Sequence, residues 1–282
     1  MTFTWFITGS SRGIGRELTE RLLDRGDRVA ATARTPGQLD DLAARHGDRL
    51  WVRALDVTDA TQIRAVVDEA FTELGRIDVV VSNAGYGVLG AAEELTDHEV
   101  RDIIATNLTG SITLVQATTP HLRAQGGGRF LQLSSMGGLM AFPGFSLYHA
   151  SKWGIEGFFE AVGPEVEPFG IRTVLIEPGV IRTSFYDVMG RKEPHPAYAD
   201  NPAILRQEAP RDEMPGDQSK VVDAIMAAGE SDNPPRRLIL GSDAYTLINE
   251  ALTARLTEIQ QQRDTAGATD VDGHVLAASG CF

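Results

Sequence analysis

A short apolar run near the start of the chain leads directly into a glycine-rich loop and then into a helix with one apolar face. The run covers residues 3–7, the loop reads Thr-Gly-Ser-Ser-Arg-Gly-Ile-Gly over residues 8–15, and the helix covers residues 17–24. Glycines let the backbone approach a ligand closely, and the N–H groups and dipole of a helix start favour an anion. Glycines can also mark an ordinary tight turn. Their place between a strand and a helix predicts a phosphate-binding βα unit, although the Gly-x-x-x-Gly-x-Gly spacing differs from the common dinucleotide fingerprint.

Strand-like and helix-like segments alternate along the rest of the chain. Apolar runs predict strands at residues 28–33, 50–55, 77–81, 130–133, 171–176 and 237–240, and helical periodicity predicts helices at 38–45, 60–74, 96–125, 148–168, 221–228 and 243–262. Regular alternation implies right-handed crossovers and parallel strands. We therefore predict one Rossmann-like, doubly wound α/β domain over residues 1–264, with a seven-stranded parallel sheet and helices on both faces. Residues 265–282 are small and polar, and are predicted to form a loosely ordered tail.

Composition limits the partners and the compartment. The chain has 282 residues, and its 26 basic and 39 acidic residues give a net charge of −13. A nucleic-acid partner is not expected, because phosphate binding needs a basic surface. The one cysteine, Cys281, cannot form a disulfide within the chain, which fits a reducing cytoplasm. We find no secretory leader and no apolar run near the roughly 18–20 residues that span a bilayer, so no membrane association is expected.

Three side chains with complementary chemistry lie in one stretch of the sequence. The strand at 130–133 ends at two serines, of which Ser135 is the second, and Tyr148 and Lys152 follow one helical turn apart on one face. A tyrosine and a lysine at this spacing are also common on ordinary helices, where the lysine is merely solvated. The serine at the strand end favours a catalytic interpretation.

Two arginines flank the expected cofactor site. A cofactor without a 2′-phosphate usually meets an acidic residue about 20 residues after the glycines, bonded to the ribose hydroxyls. Here Arg34 ends the second strand, its neighbours are not acidic, and Arg12 lies within the glycine loop. Either arginine alone could be a solvated surface charge. Together they predict NADP(H), because a guanidinium binds phosphate through charge-assisted hydrogen bonds.

Residues 180–216 lack regular periodicity and contain five prolines together with apolar and aromatic side chains. A long irregular segment in a compact domain is either disordered or functional. Its position after the sixth strand favours a substrate lid. No metal site is predicted, because the six histidines are scattered without ligand spacing. His149, beside Tyr148, is interpreted as a packing or partner contact.

With these residues in hand, the chain resembles the short-chain dehydrogenase/reductase family over roughly residues 2–183. The glycine loop matches the family's cofactor loop, Asp56 and Val57 match its adenine contact, and Ser82-Asn-Ala-Gly85 matches its Asn-Asn-Ala-Gly turn. Pro178 and Gly179 with Thr183 match its nicotinamide-binding segment. The resemblance implies a catalytic tetrad of Asn107, Ser135, Tyr148 and Lys152. Within the family, Arg12, Arg34 and the Ser-x-Gly-Gly-Leu-Met run are similar to carbonyl reductases and hydroxysteroid-dehydrogenase-like members.

The resemblance and the motifs together give the full set of expected site residues. The expected cofactor-binding residues are Gly9, Ser11, Arg12, Gly13, Ile14, Gly15, Arg34, Asp56, Val57, Asn83, Ala84, Gly85, Tyr148, Lys152, Pro178, Gly179, Ile181 and Thr183. The expected substrate residues are Ser135, Gly137, Phe142, Phe145, Tyr148, Phe185, Tyr186 and Met189, with Leu139 and Met140 also expected to affect specificity.

A mechanism follows from these roles. Tyr148 is expected to exchange a proton with the substrate oxygen, and Ser135 to donate a hydrogen bond to it. Lys152 is expected to lower the pKa of the tyrosine and, by the resemblance, to hold the ribose hydroxyls. Asn107 is expected to link Lys152 to solvent through a bound water.

The predicted function is NADPH-dependent reduction of an apolar, bulky small-molecule carbonyl compound to a secondary alcohol, reversibly, by a cytoplasmic enzyme. The alternative is a catalytically silent protein that senses the dinucleotide, which would be expected to lack part of the tetrad. The family commonly pairs its two long helices, here near residues 98–125 and 148–168, so a homodimer or homotetramer is expected.

Overall fold

A computed structural model of the protein describes residues 2–204 and 210–271. Within them the strands are β1 (Thr4–Thr8), β2 (Arg28–Ala33), β3 (Leu50–Ala54), β4 (Val79–Ser82), β5 (Val88–Leu89), β6 (Gly128–Leu133), β7 (Ile171–Pro178), β8 (Gly190–Arg191) and β9 (Arg237–Leu240). The helices are α1 (Gly13–Arg25), α2 (Asp40–His46), α3 (Ala60–Leu74), α4 (Asp97–Ile104), α5 (Gly110–Ala124), α6 (Ser146–Val166), α7 (Phe185–Val188), α8 (Gln218–Glu230), α9 (Ser242–Gln261) and α10 (Arg263–Gly267).

Seven strands form one parallel sheet in the order β3-β2-β1-β4-β6-β7-β9. The chain winds outward from β1 in one direction and then restarts beside β1 at β4 to wind in the other. The predicted doubly wound α/β fold is thereby confirmed. The junction of β1 and β4 is the switch point, beyond whose carboxyl ends this class of sheet binds its ligands.

Alternating side chains of each strand reach opposite layers of helices. Trp5 and Ile7 of β1 pack with α1, α2 and α8, whereas Phe6 between them packs with α3, α5 and α6. All three side chains are completely buried. Both faces of the sheet are covered, which explains why the strands are apolar on both sides.

The predicted long helix at residues 96–125 is interrupted. It starts at a capping box in which Thr96 Oγ1 accepts from the Glu99 N–H at 3.3 Å. The segment Ala105–Thr109, which contains Asn107, then widens into a π-helical turn before α5 begins. Such turns often occur at functional sites, and this one follows from no feature of the apolar pattern.

The lid segment, residues 180–216, is described except for residues 205–209. Its two ends meet, because the Gly216 N–H donates to the Val180 carbonyl oxygen at 2.9 Å and the Arg182 N–H donates to the Gly216 carbonyl oxygen at 3.0 Å. The segment contains α7 and also β8, which pairs in parallel with β5. This small second sheet joins the lid segment to the loop after β4, and the sequence does not predict it.

The carboxyl-terminal region is helical slightly further than predicted. Helix α10 covers Arg263–Gly267, across the expected start of the tail at residue 265. Cys281 and the rest of the tail beyond residue 271 lie outside the described residues. No helix among the described residues is long and apolar enough to cross a membrane.

Candidate active site

A cleft of about 1060 Å³ opens at the carboxyl edge of the sheet, above the junction of β1 and β4. It extends from Arg34, at the end of β2, to Tyr148 in the first turn of α6 and on to the lid segment. Parallel strands bring their carboxyl ends to one edge, so residues far apart in the sequence meet there.

The glycine loop forms the floor of the cleft where β1 passes into α1. Gly9 has a backbone φ of 71°, which favours glycine. A Cβ atom on Gly15 would lie 2.4 Å from the Gly9 carbonyl oxygen, so the first turn of α1 can pack against the loop only without a side chain there. Arg12 precedes the helix without a side-chain cap bond, which leaves the helix start open toward the cleft.

Asn83 ties the glycine loop to the end of β4. Its amide Nδ2 donates to the carbonyl oxygens of Thr8 at 2.9 Å and Gly9 at 3.1 Å, and its N–H donates to Thr8 Oγ1 at 3.0 Å. Ser82, where the family pattern has asparagine, is buried and its hydroxyl lies 3.0 Å from that of Ser111 on α5. The serine therefore anchors the strand end to a helix.

Asn107 is buried in the π-helical turn and uses its whole amide group. Its Nδ2 donates to the Tyr86 carbonyl oxygen at 2.8 Å and to Ser151 Oγ at 3.1 Å, and its Oδ1 accepts from the Tyr86 N–H at 3.1 Å. The side chain thus joins the loop after β4 to α6 and does not line the cleft. Its direct effect is to fix the position of α6, on which Tyr148 and Lys152 lie.

The end of the cleft near β2 is cationic. Arg12 and Arg34 line it and are exposed, and neither lies within ion-pair distance of a carboxylate in the part of the chain that the structure describes. Asp56 is close by, and two hydrogen bonds from Thr58, with a smaller effect of Arg34, lower its pKa. A ligand phosphate would find two available guanidinium groups here.

Ser135, Tyr148 and Lys152 meet at the inner wall of the cleft. Ser135 Oγ accepts from the Gly137 N–H at 3.0 Å, which leaves the hydroxyl proton available to a ligand. Tyr148 lies beside this hydroxyl, and Lys152 Nζ is 5.7 Å from the centre of the tyrosine ring. The sequence prediction that these three side chains come together is consistent with this geometry.

Known proteins of similar sequence and structure identify the family of this chain. The family model described as short chain dehydrogenase matches residues 4–193. Oxidoreductase BOA17 of Botryotinia fuckeliana (strain B05.10) is 38% identical over 256 residues, which cover 89% of this chain and 93% of that protein. A short-chain dehydrogenase structure from Streptomyces avermitilis, 37% identical, covers 95% of this chain and 98% of its own, with a TM-score of 0.87. The chain belongs to the short chain dehydrogenase family.

Two further relatives carry more specific names. The 3-ketodihydrosphingosine reductase of Bacteroides thetaiotaomicron is 35% identical over 181 residues, which cover 64% of this chain and 65% of that protein. A short chain dehydrogenase from Burkholderia cenocepacia J2315, solved in complex with NADP, has a TM-score of 0.72 at 24% identity and covers 93% of this chain and 97% of its own. At that identity the second likeness concerns the fold alone.

In this dehydrogenase the pKa of Tyr148 is not lowered, contrary to the sequence prediction. Burial raises it, and the nearby Ser135 hydroxyl only partly opposes the effect. Lys152 does not reverse this shift. Its ammonium donates to the Leu133 carbonyl oxygen at 2.8 Å, and burial lowers its own pKa to about 8. Desolvation disfavours the charged form of both groups. The phenol of Tyr148 is therefore protonated at neutral pH.

Most of the predicted site residues line the cleft of the dehydrogenase, and five positions do not. Gly15 lies beneath the glycine loop, and Asn107 lies behind the loop after β4. Met189 is buried, and its side chain lies beside Gly87, while its neighbour Val188 lines the cleft instead. Met140 and Leu139 pack against α9, since the loop after β6 turns them away from the cleft.

Other residues of the dehydrogenase line the cleft without having been predicted. They share apolar or weakly polar side chains near Tyr148: Leu89, Met136, Pro143, His149, Val188, Ala203 and Met214. Met214 is buried and comes from the end of the lid segment, where the lack of periodicity gave no signal for its orientation. His149 was interpreted as packing or partner contact; it is buried and hydrogen-bonded within its own chain.

A buried ionic cluster lies behind the cleft, below Pro178. Glu177 is completely buried at the end of β7, and its Oε1 lies 3.0 Å from Nε of Arg237. This contact is within ion-pair distance, but neither carboxylate oxygen has hydrogen-bond geometry. Arg237 also pairs with Glu160 and, at 2.8 Å, with Glu156. Burial, together with the charge of Glu156, raises the pKa of Glu177 to about 8.

The residues of the cleft fit a dinucleotide. The glycine loop lines the cleft at Gly9 and Gly13, where the start of α1 carries no side-chain cap. The backbone of the loop after β4 lines the cleft beside it at Asn83, Ala84 and Gly85. No group of three or more His, Cys, Asp or Glu side chains that could hold a metal ion occurs within residues 2–204 and 210–271.

Proposed function

We propose that this oxidoreductase reduces a ketone to a secondary alcohol with NADPH, reversibly. The observation that carries the proposal is the position of the Ser135 and Tyr148 hydroxyls at one wall of a cleft. The other end of the cleft has two guanidinium groups, neither within ion-pair distance of a carboxylate among residues 2–204 and 210–271. A carbonyl oxygen needs donors where its charge develops, and a 2′-phosphate needs cations.

Residues at the carboxyl edge of the sheet would hold the cofactor. The glycine loop and the start of α1 would bind the pyrophosphate, Asp56 and Val57 the adenine, and Arg12 and Arg34 the 2′-phosphate. The segment with Pro178, Gly179, Ile181 and Thr183, which lines the cleft beside Tyr148, would hold the nicotinamide. Bound NADPH would supply the hydride that the carbonyl carbon receives.

The protein's own residues manage the proton and the oxygen. Burial raises the pKa of Tyr148, which gives its proton to the carbonyl oxygen. This proton at the oxygen and a hydride at the carbon together would convert the C=O double bond to a C–OH single bond. Ser135 donates a hydrogen bond to the same oxygen. The ammonium of Lys152 lies close to the ring and stabilises the negative charge that develops on the phenol oxygen as the proton leaves. In the reverse direction Tyr148 accepts the proton.

The substrate is an apolar and bulky carbonyl compound. Aromatic rings surround the approach to Tyr148: the ring centre of Phe185 is 5.9 Å from that of Tyr148, and that of Phe145 is 6.3 Å away. Phe142, Val188 and Met214 add apolar surface. The name of the Bacteroides relative, a 3-ketodihydrosphingosine reductase, supports the reduction of a ketone.

The proposal extends to the setting of the enzyme. We propose that it works in the cytoplasm and as a homodimer or homotetramer paired through the helices of residues 98–125 and α6. Val100 and Trp153 on these helices are exposed apolar side chains that such pairing would cover. Light scattering after size-exclusion chromatography measures the mass in solution.

The decisive experiment is the loss of NADPH absorbance with a panel of aryl ketones, diketones and steroid ketones. Turnover of at least one ketone, abolished by removal of the phenol of Tyr148, supports the proposal. Tight NADPH binding without turnover of any ketone or secondary alcohol would favour the alternative, a silent dinucleotide sensor.

A further inference from the structure

His149 is held by two hydrogen bonds of opposite direction. Its Nδ1 lies 2.8 Å from the carbonyl oxygen of Gly137, and its Nε2 lies 2.8 Å from the backbone nitrogen of Phe142. A carbonyl oxygen can only accept and a backbone N–H can only donate, so the proton must be on Nδ1 and the lone pair on Nε2. The contacts therefore fix one neutral tautomer of the ring.

These bonds join both ends of one functional loop to α6. Gly137 and Phe142 belong to the stretch between β6 and α6, which we call the substrate loop (residues 136–145), and both line the cleft. The ring also contacts Phe142 and Phe145, with ring centres 6.0 and 6.2 Å away. A Cβ atom on Gly137 would lie 2.7 Å from Nδ1, so any side chain at this position would collide with the His149 ring.

The contact at Gly137 reaches the Ser135 hydroxyl. The carbonyl of Gly137 accepts from His149, and its N–H donates to Ser135 Oγ at 3.0 Å. This one residue thus contacts both the His149 ring and the Ser135 hydroxyl. At the other end, the Phe142 N–H has His149 as its partner, and the Phe142 side chain is 37% exposed, so other packing holds it weakly.

We propose that His149 is a positioning residue of this reductase, which in its neutral form holds Ser135 and Phe142 in the geometry that binds the ketone. This inference rests on the proposed function for its kinetic consequences. Its structural part, that the imidazole fixes the substrate loop, stands independently of any activity.

Protonation would break one of the two bonds. An added proton on Nε2 would face the Phe142 N–H, so two donors would oppose each other and the loop would release at Phe142. The substrate loop itself has no ionisable side chain, Tyr148 is the ionisable side chain whose ring contacts the imidazole, and Lys152 follows one turn later on α6. Burial lowers the pKa of His149, against a smaller effect of the Gly137 carbonyl, so the neutral form persists below the usual value of about 6.5.

The sign of the pH effect follows from that direction. The pKa of His149 is lower in the folded protein than in the unfolded chain, so between these two values the native state binds fewer protons. The contribution of the contact to stability is therefore complete above the unfolded pKa of about 6.5 and decreases as the pH falls below it. We therefore expect the KM for ketone to rise once the pH falls below the lowered pKa of His149, while the affinity for NADPH stays nearly constant.

Hydrogen–deuterium exchange on the protein alone tests the structural part. Two variants are compared: His149→Leu, which keeps the volume but removes both bonds, and His149→Gln, whose amide offers one donor and one acceptor and cannot be protonated. The protection factor of the Phe142 amide at pH 7.5 should fall at least tenfold in the leucine variant and stay within threefold of wild type in the glutamine variant. Equal protection in all three proteins would overturn the proposal.

Acidification separates positioning from simple packing. From pH 7.5 to pH 5.5 the wild-type protection factor of Phe142 should fall, and that of the glutamine variant should not. This comparison decides the matter even if the leucine variant does not fold. A parallel fall in both proteins would contradict the role of the imidazole.

Kinetics tests the functional part. With an aryl ketone that the wild type reduces, His149→Leu should raise the KM for ketone about tenfold and leave the dissociation constant of NADPH within twofold. An unchanged KM together with lost protection would overturn the link to the substrate. If the wild type reduces no ketone, the proposed function fails, whereas the exchange experiment still decides whether His149 holds the loop.

Discussion

Lys152 Nζ donates a hydrogen bond of 2.8 Å to the carbonyl oxygen of Leu133, the last residue of β6. The lysine thus joins α6 to the strand from which Ser135 follows, and it does so as a buried ammonium 5.7 Å from the Tyr148 ring. Burial lowers its pKa to about 8, with the negative charge of Glu156 acting in the opposite direction. The charge that assists proton transfer is therefore lost within an accessible pH range.

The first prediction concerns the basic side of the pH profile. Because Lys152 is charged only below about pH 8 and Tyr148 stays protonated, kcat/KM for ketone reduction should fall above pH 8, approaching tenfold per pH unit. Initial rates from pH 6.5 to 10 measure this. In Lys152→Arg the charge persists, so any remaining activity should not decline over the same range. A wild-type profile that is flat to pH 10 would contradict the assignment.

The second prediction concerns the proton donor. Tyr148→Phe removes the only phenol beside Ser135 within the described cleft, so turnover should fall by about 10²–10⁴, the usual scale of general acid catalysis. NADPH binding, measured by fluorescence titration, should change little. The matched control is Tyr245→Phe, since that tyrosine is 65% exposed on α9. Activity of the Tyr148 variant within tenfold of wild type would exclude its role as acid.

The sheet could be predicted from the sequence because apolar periodicity reports burial directly. Strands such as β4 and β7 are apolar on both faces, and the helices between them have one apolar stripe, as a covered parallel sheet requires. The π-helical turn at Asn107 could not be predicted, since a locally wider turn leaves the apolar pattern nearly unchanged. The strands β5 and β8 are two residues long, too short for any periodicity.

The candidate site could be predicted in its membership but not in its electrostatics. Spacing places Tyr148 and Lys152 on one face, but the sign of the tyrosine pKa shift depends on how completely each group is buried. The bonds of His149 depend on the path of the substrate loop, which no pattern encodes. Glu177 did leave a signal, because a carboxylate inside an apolar strand needs a partner; the partner, Arg237, lies 60 residues away.

The third prediction concerns Glu177 and stability. Its pKa is about 8 in the folded protein and near 4.5 when unfolded, so between these values the native state holds a proton that the unfolded chain lacks. Stability therefore falls as the pH rises through this window. Glu177→Gln should remove this dependence, so the free energy of unfolding of the variant relative to wild type should increase from pH 5.5 to pH 8.5 in denaturant titrations.

Glu160→Gln is the matched control for that experiment. Glu160 pairs with the same arginine but is half exposed, and this pairing lowers its pKa. Its contribution is already complete above the unfolded pKa, so the substitution should shift stability equally at pH 5.5 and 8.5. If the two variants show the same pH dependence, Glu177 is not the group that titrates.

The fourth prediction concerns the lid segment. Lys192 Nζ lies 3.0 and 3.1 Å from the two carboxylate oxygens of Glu99, whose Oε2 also accepts from the Thr96 N–H at the start of α4. A partly exposed pair contributes about 0.2–1 kcal/mol, so Lys192→Met should raise the KM for ketone by up to about fivefold. Amide exchange in residues 180–204 should be faster in the protein without ligand than in the protein with bound NADPH and ketone.

Lys220→Met provides the control for the lid experiment. Lys220 is an exposed lysine on α8, so its substitution makes the same change of charge away from the lid segment. It should leave the KM for ketone and the exchange of residues 180–204 unchanged. If both lysine variants alter the KM equally, the effect is one of net charge and not of the contact with Glu99.

The last prediction is cofactor preference. Arg12 and Arg34 line the cleft without a carboxylate partner among the described residues, and a charge-assisted hydrogen bond contributes about 1.5–3 kcal/mol. Two such contacts imply a preference for NADPH over NADH of about 10²-fold or more in kcat/KM, since 1.4 kcal/mol is a factor of ten.

Arg34→Asp should reverse much of this preference, because it adds repulsion against the phosphate while removing attraction. Arg263→Asp makes the same change of charge on the exposed α10 and should leave the ratio intact. Equal use of both cofactors by the unmutated enzyme would show that the two arginines are only solvated surface charges.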